Sequence, residues 1–174
     1  PRKQLDIIAL PNNIKHFFQL DKLSDFIYFH KRSSLEMKHW LEAVQWKEYF
    51  KPDRVLLCGD GMGHRTYTLN KIGAEAYGFD ISKYAIDNTP HDSNKDCLFV
   101  ANIITWHTEV PFDLIICYDV LEHLSYEELD EALDNIANNG SDNFVFSIPF
   151  LGDPNLENDS THQIKETKEW WIKK

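Results

Sequence analysis

The chain has 174 residues, of which 43% are hydrophobic and 26% charged, and its formal net charge is −10. This size and balance fit one globular domain and exclude an intrinsically disordered or fibrous chain. The acidic charge makes a nucleic acid an unlikely partner on average, and no apolar run is long enough to cross a bilayer.

Residues 1–50 are expected to form an N-terminal helical segment that packs on the rest of the chain. Apolar residues between positions 17 and 27 suggest a helical surface, and Ser33 and Glu36 have the spacing of a capping box. Apolar residues then recur at helical spacing as far as Val44, and Pro52 ends the pattern. Residues 51–174 are expected to complete a single α/β domain.

Short apolar runs and helical patterns alternate through residues 51–174. Continuous apolar strands that alternate with helices predict a doubly wound, mostly parallel sheet with helices on both faces. In such sheets, ligands bind at the carboxyl ends of the strands. The predicted strands cover residues 54–58, 75–80, 97–101, 112–117 and 143–148, and the helices between them begin near His64, Ser82 and Ser125.

A glycine-rich turn and a carboxylate follow the first two predicted strands. Gly59, Gly61 and Gly63 allow a tight turn that exposes bare main chain, and the next helix directs its N–H groups to the same space. Asp80 ends the second strand about 20 residues after the first glycine, where a carboxylate can bind ribose hydroxyls. Each feature alone has a structural interpretation, but together they predict a nucleoside-containing ligand.

The pattern G-x-G-x-G differs from the G-x-G-x-x-G of dinucleotide-binding proteins. Residues 55–63, 78–82 and 112–124 resemble three motifs of the class I S-adenosylmethionine-dependent methyltransferases. The last stretch, which contains Leu121-Glu122-His123-Leu124, is the most specific. The resemblance covers about residues 35–172. It implies a Rossmann-like fold, with S-adenosylmethionine as cofactor.

The resemblance also implies roles for residues after the strands. The three glycines should surround the methionine part of the cofactor, Asp80 should bind the ribose, and Ile81 should pack on the adenine. The remaining implied neighbours are Asn102 and Ile103 at the adenine, and Tyr118 and Asp119 where the methyl group meets the acceptor.

One position departs from the family pattern. An acidic residue is usual two positions before the first glycine, and Leu57 stands there in this chain. Asp60, inside the turn, is the candidate to replace that carboxylate beside the cofactor's ammonium group.

Two histidines are candidate general bases for an acceptor that must lose a proton. His123 follows the fourth strand, and His162 lies in a Thr-His pair on the loop after the fifth strand. Each also has a structural interpretation, as a residue that orders its loop. Asp119 and His123 could form a metal pair, but no third ligand has suitable spacing, so no metal site is expected.

The acceptor is expected to be a small molecule, such as a sugar or another hydroxyl compound. The Asn/Asp-Pro-Pro-aromatic motif of enzymes that methylate base amino groups is replaced by Tyr118-Asp119-Val120-Leu121. Leu57 and the short C-terminal part motivate an alternative, a non-catalytic methyltransferase-like binding or regulatory domain. A nicotinamide-dependent oxidoreductase is the second alternative.

The cysteines predict the cellular setting. Cys58, Cys97 and Cys117 have no Cys-x-x-Cys spacing, which together with the absence of an apolar signal sequence favours free thiols and a cytoplasmic location.

The C-terminal hairpin of the family sheet should be missing, because the chain stops at Lys174. The exposed sheet edge could then form a homo-oligomer.

Overall fold

The computed structural model describes residues 34–174, with the side chains of residues 38–174. Five strands form one sheet in the order β3-β2-β1-β4-β5, and every neighbouring pair is parallel. The doubly wound α/β fold is therefore confirmed. The strands are β1 (Arg54–Cys58), β2 (Glu75–Asp80), β3 (Leu98–Val100), β4 (Leu114–Tyr118) and β5 (Phe144–Ser147).

Helices follow every strand except β3, which a loop joins to β4. Two 3-10 turns, Asp92–Asn94 and Leu121–His123, precede β3 and the helix that begins at Tyr126. The predicted apolar surface between positions 17 and 27, and the side chains of the capping box at Ser33, lie outside the described residues. The helices are α1 (Ser34–Phe50), α2 (His64–Lys71), α3 (Lys83–Asp87), α4 (Tyr126–Asn138), α5 (Pro154–Asn158) and α6 (Lys168–Lys173).

The sheet separates two apolar cores. On one face, Ala43 and Trp46 of α1 and Leu69 of α2 pack against Val55 and the other inward residues of β1 and β4. On the other face, the buried side of α4 packs against Leu56 and its neighbours, with Trp170 and Trp171 of α6 partly buried at the margin. Burial on both faces explains why the strands are apolar at consecutive positions.

Local signals fix two of the helix boundaries that the sequence predicts. The Ser125 hydroxyl accepts the N–H of Glu128 and the Glu128 carboxylate accepts the N–H of Ser125, so α4 begins with a complete capping box. Gly73 follows α2 with a φ of 83°, a conformation that glycine adopts without strain.

The connections give the sheet a topological switch point. β1 lies between β2 and β4, so the chain leaves β1 toward one edge and returns from β3 to the other side. The crevice above the carboxyl ends of β1 and β4 is the usual ligand position in this architecture. The glycine-rich turn follows β1 at this place.

The two edges of the described sheet are β3 and β5, and β5 pairs with β4 alone. The expectation of a homo-oligomer through this edge stays a prediction. Between residues 34 and 174, no helix has the length and apolar character needed to cross a membrane.

Candidate cofactor and acceptor site

The glycine-rich turn is built from three left-handed residues. The φ angles of Gly59, Gly61 and Gly63 are 72°, 57° and 80°. A Cβ at Gly59 would overlap Val120, and one at Gly63 would lie 2.6 Å from Asn94 Nδ2. A Cβ at Gly61 would meet no atom within 4 Å. Packing thus requires glycine at the two outer positions, while Gly61 presents its main chain to open space.

Asp80 lies half-buried at the carboxyl end of β2, beside this turn. Its Oδ2 accepts the Gly61 N–H at 2.9 Å, and its Oδ1 accepts the Ser82 N–H at 2.8 Å. Each carboxylate oxygen can accept a further hydrogen bond, so capacity remains for ribose hydroxyls. The next side chain, Ile81, is 71% exposed and offers an apolar surface at the same edge.

Asp60 occupies a different environment. Its side chain is buried, its Oδ2 accepts the Thr66 N–H at 3.0 Å, and its Oδ1 has no hydrogen-bond partner in the part of the chain that the structure describes. Burial raises the pKa of Asp60 to about 6, although hydrogen bonding from Thr66 opposes the shift. The carboxylate therefore caps the first turn of α2. Leu57 is 2% exposed and belongs to the core, so neither residue presents a free carboxylate to the crevice.

The two predicted adenine neighbours after β3 differ in their placement. Asn102 Oδ1 accepts the Ile104 N–H at 2.8 Å and retains a second lone pair for an amino group. The Ile103 side chain is 7% exposed and packs in the larger core. The Ile103 side chain therefore packs in the core, and a contact with adenine would have to use the Ile103 main chain.

Tyr118 ends β4 on the face covered by α1 and α2. The Arg65 guanidinium carbon lies 3.9 Å from the centre of the Tyr118 ring, and Trp46 lies beside it. Arg65 Nε also contacts Glu42 Oε2 at 3.0 Å, a buried ion pair that joins α2 to α1. Tyr118 therefore connects the end of β4 to both helices.

Asp119 is the residue where β4 turns toward the crevice. Its φ of 54° is in the left-handed region, which aspartate tolerates better than most residues. Its N–H donates to the Ser147 carbonyl oxygen at 2.9 Å, and its Oδ1 accepts the Ser147 hydroxyl at 2.9 Å. The exposed Asp119 thus fixes the ends of β4 and β5 relative to each other.

His123 and His162, the two candidate bases, lie together, with ring centroids 4.5 Å apart. Glu122 completes the group, and one potential ligand atom of each residue lies within 4.8 Å of the other two. Glu122 is fully buried, neither carboxylate oxygen has a hydrogen-bond partner among residues 34–174, and burial raises its pKa to about 7. The sequence placed Glu122 in the Leu121–Leu124 motif but did not predict it as a site residue.

Main-chain bonds hold this group in place. The Glu122 carbonyl oxygen accepts the N–H groups of Gln163 and Ile164 at 2.8 and 3.0 Å. The Gln163 side-chain amide donates to the His123 carbonyl oxygen at 2.8 Å. The loop between α5 and α6 is thereby attached to the 3-10 turn after β4.

A family comparison decides the class of this protein. Residues 56–143, just over half of the chain, match the family described as "Methyltransferase domain". The chain belongs to this methyltransferase family. The matched segment contains the glycine turn, Asp80 and the Leu121–His123 turn, so the predicted enzyme class and its cofactor, S-adenosylmethionine, are confirmed.

Solved structures confirm the Rossmann-like methyltransferase fold. A methyltransferase dependent on S-adenosylmethionine from Archaeoglobus fulgidus is 24% identical, with a TM-score of 0.64, and the match covers 85% of this chain and 71% of that one. The amino pentose methyltransferase CalS10 from Micromonospora echinaspora is 17% identical, with a TM-score of 0.59 and coverages of 78% and 59%.

A third similar structure is the small RNA methyltransferase HEN1. It is 14% identical, with a TM-score of 0.64, and the match covers 79% of this chain and 20% of that one. At these identities the similarity shows the fold alone and leaves the acceptor open. A search of curated protein sequences gives no match.

Proposed function

We propose that this methyltransferase binds S-adenosylmethionine at the carboxyl ends of β1 and β2 and methylates a hydroxyl group of a small molecule, such as a sugar. The observation that carries the cofactor assignment is the hydrogen bond between Gly61 and Asp80, since it places a carboxylate beside main chain that faces open space. The assignment of a hydroxyl acceptor depends on a base that can take its proton, for which His123 is the candidate.

The described residues fit this cofactor. Asp80 retains hydrogen-bond capacity for the ribose, Ile81 offers an exposed apolar side chain for the adenine, and Asn102 retains an acceptor for its amino group. Gly61 leaves space for the methionine part. When bound, S-adenosylmethionine supplies a methyl group on a positively charged sulfur.

The reaction is a displacement for which alignment supplies much of the catalysis. Transfer of that methyl group to a hydroxyl oxygen would require the acceptor to lose its proton, and a base of the protein would have to accept it. The Thr161 hydroxyl donates to Asp159 Oδ1 at 2.6 Å, so it accepts from Nδ1–H of His123 at 3.0 Å. This bond leaves Nε2 of His123 unprotonated and able to accept the proton.

His162 is a weaker candidate for direct proton transfer. Its side chain is 7% exposed, and its Nδ1 lies 3.2 Å from the Leu156 carbonyl oxygen. Burial of the ring limits contact with an acceptor. We therefore assign His123 as the residue that faces the acceptor and His162 as a residue that positions His123.

Three observations favour a small acceptor over a nucleic acid. The net charge of −10 opposes a polyanion, and the stretch after β4 lacks the Pro-Pro-aromatic motif of enzymes that methylate base amino groups. CalS10, which shares the fold, methylates an amino pentose, and this supports a sugar as the first class to test.

The free thiols of Cys58, Cys97 and Cys117 support a cytoplasmic location.

The experiment is transfer of a labelled methyl group to sugar glycosides, phenols, amines and a short RNA. We expect label on a hydroxyl compound, and a loss of kcat of about 100-fold or more in His123→Gln. His107→Gln, which removes an exposed histidine far along the chain from the group, is the control and should retain activity. Transfer to RNA in preference to every small molecule would contradict the proposed acceptor class.

A further inference from the structure

The side chains of Glu122, His123 and His162, here named the Glu-His-His group, have the composition of a metal site. One nitrogen or oxygen of each lies within 4.8 Å of the other two, close enough that small side-chain movements would let all three bind one ion. The residues come from two segments, the 3-10 turn Leu121–His123 and the loop between α5 and α6. The group is therefore a product of the tertiary fold.

Glu122 gives an independent indication of a missing partner. It is fully buried, and neither of its carboxylate oxygens accepts a hydrogen bond from any described residue. Burial of a carboxylate without a partner is unfavourable, so buried carboxylates are usually paired, protonated or bound to a metal. The carbonyl oxygen of Glu122 accepts the N–H groups of Gln163 and Ile164, which holds the residue in this position.

The hydrogen bonds of the two imidazoles leave one ring nitrogen of each available. His123 donates its Nδ1–H to the Thr161 hydroxyl, whose own proton is directed to Asp159. His162 directs Nδ1 to the Leu156 carbonyl oxygen, which can only accept, so this nitrogen carries the proton. In both neutral rings the lone pair is then on Nε2. Metal-binding histidines commonly have this arrangement, in which an outer oxygen fixes the tautomer.

Asp159 adds negative charge at the same place. Its Oδ2 lies 3.7 Å from His162 Nε2, too far for a hydrogen bond. A lone pair and a carboxylate at this separation repel each other unless a cation or a proton lies near both. The surroundings thus favour a positive charge.

We infer that the Glu-His-His group binds one divalent cation of the zinc, manganese or cobalt class. Two imidazole nitrogens and one carboxylate oxygen are ligands that these metals prefer, whereas magnesium and calcium favour oxygen alone. With three protein ligands, coordination positions remain for water or for an acceptor oxygen.

The site also deepens the proposed function, on which this consequence rests. A hydroxyl bound to a divalent cation loses its proton more readily, as water does on zinc. With the ion bound, Nε2 of His123 would be a ligand and would replace the proton-accepting role given to it above. The ion would lower the pKa of the bound hydroxyl, and its proton would leave to a water molecule. A chelator would then remove methyl transfer without removing cofactor binding.

The decisive experiment is binding of Zn²⁺ to the full chain, first treated with a chelator, by equilibrium dialysis without cofactor or acceptor. We expect one tightly bound ion per chain, with affinity reduced by at least about tenfold in Glu122→Gln and in His162→Gln. His107→Gln removes an exposed histidine and should bind Zn²⁺ as the native chain does. Urea unfolding of each variant shows whether it is folded.

A second control addresses another group of histidines, in which His64 Nδ1 lies 2.9 Å from His91 Nε2. If His91→Gln removes the bound Zn²⁺ and the Glu122 and His162 variants keep it, the inference is overturned. Absence of tight binding by the native chain also overturns it. Because the measurement uses neither cofactor nor acceptor, a failure of the proposed function does not affect its result.

Discussion

The N–H of Gly61 donates a hydrogen bond of 2.9 Å to Asp80 Oδ2, so the turn after β1 and the end of β2 are held together. The bond joins the two features that the sequence places at neighbouring strand ends. Because the carboxylate is oriented by the protein's own main chain, a ribose would meet a group that needs no reorganisation. The cofactor site is preorganised in this respect.

Removal of the Asp80 carboxylate should weaken cofactor binding. We expect Asp80→Ala to reduce the binding free energy of S-adenosylhomocysteine by about 1–3 kcal/mol, because ribose hydroxyls lose a charged acceptor. Titration calorimetry measures the change. Asp113→Ala is the matched control, since Asp113 Oδ2 also accepts main-chain N–H groups, of Asp53 and Arg54, but at the opposite end of the sheet. Equal losses in both variants would contradict a specific role for Asp80.

Gly61 and Gly73 offer a matched pair of substitutions. Both have a positive φ, and a Cβ at either position would meet no atom within 4 Å. Each change to alanine should therefore cost about 1 kcal/mol of folding stability through backbone strain. Only Gly61→Ala should also weaken binding of S-adenosylhomocysteine, because its methyl group would enter the crevice. Similar affinities in the two variants would show that the cofactor does not lie against Gly61.

Asp60 should make the folded state less stable as the pH rises. Burial raises its pKa from 3.8 to about 6, so between these values the folded protein keeps a proton that the unfolded chain has lost. The free energy of unfolding should fall across this window by about 3 kcal/mol, and the penalty should persist at higher pH.

Denaturant unfolding between pH 4 and 7 tests this expectation in Asp60→Asn, which lacks the titrating group and should show a smaller decline. Burial also raises the pKa of Glu122, to about 7, and this shift acts in the same direction in both proteins. The difference between the two curves therefore isolates Asp60. Parallel curves would mean that Asp60 is not a buried acid. Asp142→Asn removes an exposed carboxylate as the control.

Helix α1 should be an integral part of the domain. Trp46 is 8% exposed and packs in the core between α1 and the sheet, so Trp46→Ala should cost about 3–5 kcal/mol. Tyr49 lies on the same helix and is 63% exposed, and Tyr49→Ala should cost about 0.5 kcal/mol or less. Urea unfolding measures both. Equal costs would indicate that α1 contributes little to the core.

The local parts of the fold were accessible from the sequence. The bounds of β1 and β2 agree with the prediction, since apolar residues 55–58 are followed at once by the glycine turn and β2 ends at Asp80. The predicted third strand is too long, because the N–H of Cys97 bonds to the Asn94 carbonyl oxygen in a turn. The fourth begins later than predicted, because Phe112 directs its N–H to Asn139. Asn139 is distant in sequence from Phe112, so no local pattern reveals this partner.

The same distinction applies to the site. Gly61 and Asp80 follow strands that periodicity identifies, so their proximity could be expected from a parallel sheet. The Glu-His-His group depends on main-chain bonds between Glu122 and Gln163, which no spacing reveals. Asp60 was predicted to face the cofactor, but a carboxylate in a turn before a helix can equally cap that helix.

The most direct test of the account is the effect of S-adenosylhomocysteine on thermal unfolding, compared with NAD. The account predicts that S-adenosylhomocysteine at 100 times its dissociation constant stabilises the folded chain by about 2.7 kcal/mol and that NAD does not. Stabilisation by NAD alone, or by neither compound, would contradict a cofactor site formed by the glycine turn and Asp80.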